Sequence, residues 1–301
     1  MIAFGCSITE RDTYARFAEP GIRRAAESDS LILAQRAAAG SIHRNYNLLC
    51  ERAADRDDLE ALVLLHQDAE LVDADFCDRI RRALADPDVA IVGCAGSLDP
   101  RSIAWWEGSV TWAGFLHRFE EVGGGEIPAM TWDPGDIPSY AETGEVDTID
   151  GFVMALSPWV VRELRFDESL GALHGYDFDL CMQARAAGRK VVTADFRALH
   201  HHPLELIRGS GAWIEAHIRL AEKWEGQLAR NGRGRGDWRH RALRAEAEAS
   251  ARLMRNYTLQ HLREAEAARL RADLEDVKGS VSWRLTAPLR AAKRLLRRRS
   301  E

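Results

Sequence analysis

Two carboxylates, Asp177 and Asp179, stand just ahead of an apolar and basic periodic run through Leu180, Cys181, Ala184 and Ala187, which places them in the first turn of a helix. Acids in that position do one of two jobs. They cap the helix and complement its dipole, which is the commoner outcome, or they face a cleft as acid and base. Other chemistry-bearing groups also follow apolar runs. Asp68 and Glu70 come after Glu60 to Leu65, and His200, His201 and His202 come after Lys190 to Ala194. A lone histidine is more often structural. Three in a row beyond a strand end, in a chain that also offers Asp68, lean towards a metal ion.

The elements that must carry these groups alternate between strand and helix. Ile2 to Cys6 reads as a buried strand, followed by the loop Ser7 to Asp12 and by helical segments around Thr13 to Phe17 and Gly21 to Ala26, joined at Pro20. Ser30 to Ala34 is a second strand, and Ser41 is an N-cap for a helix over Ile42 to Ala54. Glu60 to Leu65 is the clearest strand. A helix over Asp73 to Leu84, the turn Asp86-Pro87-Asp88 and a strand over Val89 to Cys94 come next, then an apolar strand within Val146 to Pro158, entered through Asp150-Gly151. Gly188 ends the helix that starts at the acids, and Lys190 to Ala194 is a further strand. This alternation predicts a doubly wound, mostly parallel sheet flanked by helices, with ligand groups at the carboxyl ends of its strands. Ser7, Thr9 and Glu10 at the first strand's end are the nucleotide neighbours. Asp150, with Gly151 beside it, either lines a ligand site at that edge or simply forms a turn.

Residues 1–225 read as the core domain, and 96–144 as an insertion over the sheet with four tryptophans, three consecutive glycines and prolines at 128, 134 and 138. Indole faces bury the C–H side of sugar rings, so the pair Trp105-Trp106 is a candidate acceptor platform; packing inside a small subdomain is the alternative. Leu204 to Trp224 predicts a helix. Residues 226–237 are a Gly/Arg linker, 238–278 a long exposed helix or coiled coil without a strict heptad, and 279–301 a basic amphipathic tail.

Charge separates these parts. The net charge of −6 over 301 residues divides into +7 on the last 25, where eight Lys/Arg face Glu301 alone, and −13 on the rest. An acidic body argues against nucleic acid as a partner, whereas a basic tail with interspersed leucines suits an anionic membrane surface or simply solvent. The 46% hydrophobic content suffices for a large core. Cys6, Cys50, Cys77, Cys94 and Cys181 are scattered, without a CxxC pair, and read as reduced core residues. No apolar run reaches the ~18 residues of a spanning helix, and the N-terminus has no basic segment ahead of its short apolar stretch. The expected location is the cytoplasm, with peripheral contact on the inner face of the plasma membrane.

In order, Gly151, Phe166-Asp167-Glu168, Gly175-Tyr176-Asp177, Asp179-Leu180, Gly188 and the His run resemble the second half of the family-2 glycosyltransferases of the GT-A fold. The resemblance extends over about Ile2 to Leu206 and is strongest from Glu145 onward. It implies a GT-A fold, Rossmann-like, with a C-terminal helical extension. It also implies transfer of a sugar from a nucleotide-diphosphate donor to a saccharide or lipid-linked acceptor, with inversion and with Mg²⁺ or Mn²⁺, in surface or cell-wall glycan synthesis. The family's Asp-x-Asp metal motif aligns in two registers. One gives His66 and Asp68, with His66 on the donor side in place of the first acid; the other gives Asp68 and Glu70. Both keep Asp68 as a metal ligand, and His200, with His202 next, supplies the later His ligand. Asp177 inherits the base role, Asp179 contacts acceptor hydroxyls or replaces it, Tyr176 stands on the acceptor side where the family has Glu, and Asp150 with Gly151 lines the sugar or acceptor side. Asn47 matches the Asn-containing helix below the donor. The acids missing at His66 and Tyr176 keep open a catalytically silent nucleotide-sugar-binding module. A nucleotidyltransferase would need a Gly-rich basic loop that the first strand lacks, and a scaffold working through its C-terminal helix is the remaining alternative.

Overall fold

The structure of the protein, a computed structural model, describes residues 1–36, 40–98, 100, 109–112, 115–118, 126–128, 144–201, 210–224 and 237–290. In chain order the strands are β1 Ile2–Ile8, β2 Leu31–Arg36, β3 Ala61–Leu65, β4 Ala69–Leu71, β5 Val89–Gly93, β6 Ala95–Leu98 and β7 Ser109–Trp112. They continue with β8 Phe115–Arg118, β9 Glu126–Pro128, β10 Gly144–Val146, β11 Thr148–Ile149, β12 Val153–Leu156, β13 Lys190–Thr193 and β14 Ala198–His200. The helices are α1 Arg11–Thr13, α2 Glu19–Ala25, α3 Ile42–Ala54, α4 Phe76–Ala83, α5 Pro158–Glu163, α6 Tyr176–Ala186, α7 Gly211–Lys223, α8 Asp237–Gly279 and α9 Val281–Leu285.

Seven strands form the central sheet in the order β10-β13-β5-β12-β3-β1-β2. β1 pairs in parallel with β2 and β3, and β13 with β5, while β12 runs antiparallel between β3 and β5, and β10 antiparallel to β13. The mostly parallel α/β sheet expected for a GT-A fold is therefore present.

Its apolar runs are continuous because both faces are covered. Alternate residues of β1 and β3 separate accordingly. Ile2, Phe4, Cys6, Ala61, Val63 and Leu65 pack with Ile22 of α2 and with Phe76 and Ile80 of α4. On the other face Ala3, Leu62 and Leu64 pack with Tyr46 and Leu49 of α3, Val160 of α5 and Leu180 of α6. Burial of each large aliphatic or aromatic side chain contributes about 1.5–3 kcal/mol. All five cysteines are buried and free.

Three boundaries differ from the sequence reading. Arg11 to Ala25 is one continuous helical stretch with a π-helical turn, Tyr14–Ala18, just ahead of Pro20; Glu19 N–H reaches back five residues to Tyr14 O, and this wide turn accommodates the proline that cannot donate. The segment Val146 to Pro158 is broken into β10, β11 and β12. Asp150 Oδ1 accepts from Phe152 N at 3.1 Å and turns the chain, and β11 pairs with β6 in a separate three-stranded sheet. The helix expected from Asp73 starts at Phe76, since the buried Asp73 carboxylate is taken by the Arg197 backbone N–H at 2.6 Å and its Nε at 2.7 Å.

α7 and α8 build a third core. Trp213, Ile218, Leu220 and Trp224 of α7 cover Phe178 and Met182 of α6, and Leu243, Ala247 and Ala251 of α8 close over them at helical spacing. The segments 202–209, 225–236 and 291–301, with Trp105, Trp106 and His202, lie outside the described residues. Among the described residues no helix is long and apolar enough to cross a membrane.

Candidate active site

β3 delivers His66, Gln67 and Asp68 to its carboxyl end. The His66 backbone N–H donates to Phe152 O at 2.9 Å, and Ala69 N–H donates back to His66 O at 3.1 Å, closing a tight turn into β4. β14 pairs antiparallel with β4, setting His200 opposite Ala69, and His201 N–H donates to Asp68 O at 2.8 Å. Two sequence-distant strand ends are thereby locked side by side. His200 Nε2 lies 3.6 Å and His66 Nδ1 3.9 Å from Asp68 Oδ1, and one ligand atom from each of the three residues lies within 4.8 Å of the others. The His200 ring stacks on Phe152 with centroids 4.7 Å apart, which fixes its plane.

Electrostatics divide the two imidazoles. Burial, reinforced by the neighbouring His200 and His174 and opposed by Asp68, pushes His66 down to about 4, so it is neutral at physiological pH. Burial also opposes charge on His200, but the Asp68 carboxylate outweighs it and holds His200 above the ordinary histidine value.

α6 supplies the opposite wall. It starts after Gly175, whose φ of +82° is a left-handed conformation that glycine adopts without penalty. Tyr176 Oη meets His66 Nε2 at 2.5 Å, joining the helix start to the histidine cluster. Asp177 Oδ2 accepts from Gly151 N at 2.9 Å and Oδ1 from Phe178 N at 2.9 Å. This approach needs glycine at 151: a Cβ there would lie 2.5 Å from Tyr176 Oη and 2.7 Å from Asp177 Cβ. Burial, then the nearby Asp150 charge, pushes Asp177 up to about 7 despite the two backbone donors. Burial raises Asp150 too.

Asp68, His66, His200, Tyr176, Gly151, Asp150 and Asp177 thus surround one edge of the sheet. Other expected site residues are engaged elsewhere. Asp179, expected on the acceptor side or as an alternative base, is fully buried and engaged on another side of the helix; residues two apart on a helix point to different sides. Its Oδ1 accepts from Trp224 Nε1 and Lys223 Nζ, both at 2.8 Å, and its Oδ2 from Gln183 Nε2 at 2.8 Å. Glu70 stands outside the cluster, with Oε2 3.2 Å from His201 Nε2 and Oε1 3.5 Å from Arg24. Asn47 grips the backbone of Phe166, donating to its O at 3.0 Å and accepting from its N at 2.9 Å, so its amide is spent on the fold and not on a donor.

Ser7 ends β1 half-buried, while the Thr9 and Glu10 backbone N–H groups donate to Gln67 Oε1 at 2.9 and 2.8 Å. Gln67 Nε2 donates in turn to Thr9 Oγ1 at 2.8 Å. Gln67, which sequence reasoning passed over, therefore clamps the β1 loop to the His66–Asp68 turn. Its position between the two ligand candidates and its ability to donate and accept at once were the available signals.

A mixed α/β sheet with acid and histidine gathered at its strand ends defines a protein of the GT-A class. Residues 31–203 match the family described as "Glycosyltransferase like family", more than half of the chain. The chain belongs to that family. It is 27% identical to the streptomycin biosynthesis protein StrF of Streptomyces griseus over 203 residues, 67% of this chain and 66% of that protein. It is likewise 27% identical to the O-antigen biosynthesis protein RfbC of Myxococcus xanthus over 164 residues, 52% of this chain and 12% of that one. The chain thus spans just under two thirds of one relative's length and a small part of the other's. Among solved structures, GalNAc-T7 with UDP, GalNAc and Mn²⁺ is similar in fold, with a TM-score of 0.51 at 12% identity over 76% of this chain and 48% of that one.

Proposed function

We propose that this glycosyltransferase moves a sugar from a nucleotide-diphosphate donor to a saccharide or lipid-linked acceptor in surface or cell-wall glycan synthesis, with inversion and with a divalent cation. The observation that carries the reading is the convergence of His66, Asp68 and His200, within 4.8 Å of one another, on the edge where Asp177 is held. The donor set fits a cation. Two imidazoles and one carboxylate are a common ligand complement for Mn²⁺-like ions, and Mg²⁺ prefers more oxygen. A cation on His66 Nδ1 would leave the Nε2–H to donate to Tyr176 Oη, 2.5 Å away, which is how an outer partner fixes a ligating tautomer. A bound cation would supply charge neutralisation for the leaving diphosphate.

The chain's own groups do the rest. Asp177, near 7 and anchored by Gly151 N–H, is poised to take the proton of the acceptor hydroxyl around neutral pH. Gln67 holds the β1 loop, with Ser7, Thr9 and Glu10, against the ligand turn as a wall for the nucleotide. Val281, Leu285 and Leu289 are exposed beside Arg284 and Arg290, which supports peripheral contact of the tail with the inner face of the plasma membrane.

The test is donor binding and hydrolysis across UDP, GDP and dTDP sugars, with and without Mn²⁺, on wild type, Asp68→Ala and Asp177→Asn. Cation-dependent turnover of one donor is expected, with Asp68→Ala losing the cation response and Asp177→Asn binding without turnover. Binding of a donor without transfer to any acceptor would support a silent module instead.

A further inference from the structure

The outer part of α8 carries an apolar seam that nothing on the described chain covers. Leu270, Leu274 and Val277 are 55%, 48% and 49% exposed, and with Ala267 they follow the 3-4-3 spacing of heptad a and d positions. Upstream, the same helix is anchored to the body through Leu243, Ala247 and Ala251, so the seam is presented on a preformed rod. Association on it costs little further ordering.

The flanking charges say what fits. With Ala267 and Leu274 at a, the g positions are Glu266 and Asp273 and the e positions are Arg271 and Lys278. In a parallel pair of identical helices each g residue meets the partner's e residue of the next heptad, so Glu266 faces Arg271 and Asp273 faces Lys278. All these contacts are attractive. An antiparallel pair would set g against g and e against e, acid on acid and base on base. The seam is also a narrow stripe in a nearly balanced set of charges, Glu264, Glu266, Asp273, Glu275 and Asp276 against Arg263, Arg269, Arg271 and Lys278, which offers an anionic lipid surface little net attraction.

We infer that residues 264–279 of α8 form a parallel two-stranded coiled coil with a second copy of this chain. Parallel pairing brings both basic tails to one end of the dimer, where two weak contacts with an anionic surface add as avidity.

Sedimentation equilibrium of the full chain at micromolar concentration tests this. The wild type should run at twice the 33.7 kDa chain mass, and Leu274→Glu at the single-chain mass with an unchanged circular dichroism spectrum, since Leu274 is outside the core. Glu266→Arg and Arg271→Glu should each weaken association at least about threefold, and the double exchange should restore it. A monomeric wild type, or a Leu274→Glu variant that stays dimeric, would overturn the inference. An exchange that fails to restore association would overturn the parallel register, and binding of the monomeric rod to anionic vesicles, abolished by Leu274→Glu, would assign the seam to lipid.

Discussion

At the scale of single residues the site depends on one close approach and one hydrogen bond, and each makes a prediction. Gly151→Ala should fold yet lose turnover at least about tenfold, because its methyl group must displace Tyr176 and Asp177 at a cost of ~1–3 kcal/mol; kcat together with a thermal melt checks it. Tyr176→Phe removes the partner that fixes His66 and should weaken Mn²⁺ binding roughly 10–100-fold by calorimetry. Asp177 predicts a pH profile. A base must be deprotonated, so kcat should fall as pH drops through about 7, and this limb should vanish in Asp177→Asn, with turnover down ~100-fold or more. The placement of Asp68 and His200 after strands and of Asp177 in the first turn of a helix was legible from the apolar runs beside them. Gln67 was not, because an amide carries no charge or periodicity to mark it, and its role exists only once β1 and β3 lie side by side.

At the scale of elements the placement of Asp179 is instructive. Sequence places both acids in the first turn of α6, but only the position of α7 shows which acid faces the cleft and which is locked beneath it. Lys223 bridges Asp179 at 2.8 Å and Asp167 at 2.6 Å, binding the end of α7 to the start of α6 and the segment before it. Lys223→Met leaves the buried Asp179 with less compensation and should cost about 3 kcal/mol, read as a lower urea midpoint at unchanged slope. Strand β3 and helix α3 were readable almost to the residue, since continuous burial and a Ser cap leave local marks. The break between β10 and β12 was not, since it depends on β11 leaving for a different sheet.

At the scale of the whole molecule, α8 is partly core and partly projection. A chain ending after Met254 keeps Leu243, Ala247 and Ala251 on α7 and should retain its melting temperature. A chain ending before Asp237 uncovers that core and should melt roughly 5 °C lower or more. The central claim concerns the edge of the sheet where β3, β14 and α6 meet. The most direct measurement is Mn²⁺ titration of the full chain by electron paramagnetic resonance, with and without a nucleotide-diphosphate sugar, on wild type and Asp68→Ala. Saturable binding of about one ion per chain, tightened by the donor and lost in Asp68→Ala, is the predicted result. Equal Mn²⁺ binding by the two proteins, or donor binding indifferent to the ion, would contradict a metal site at His66, Asp68 and His200.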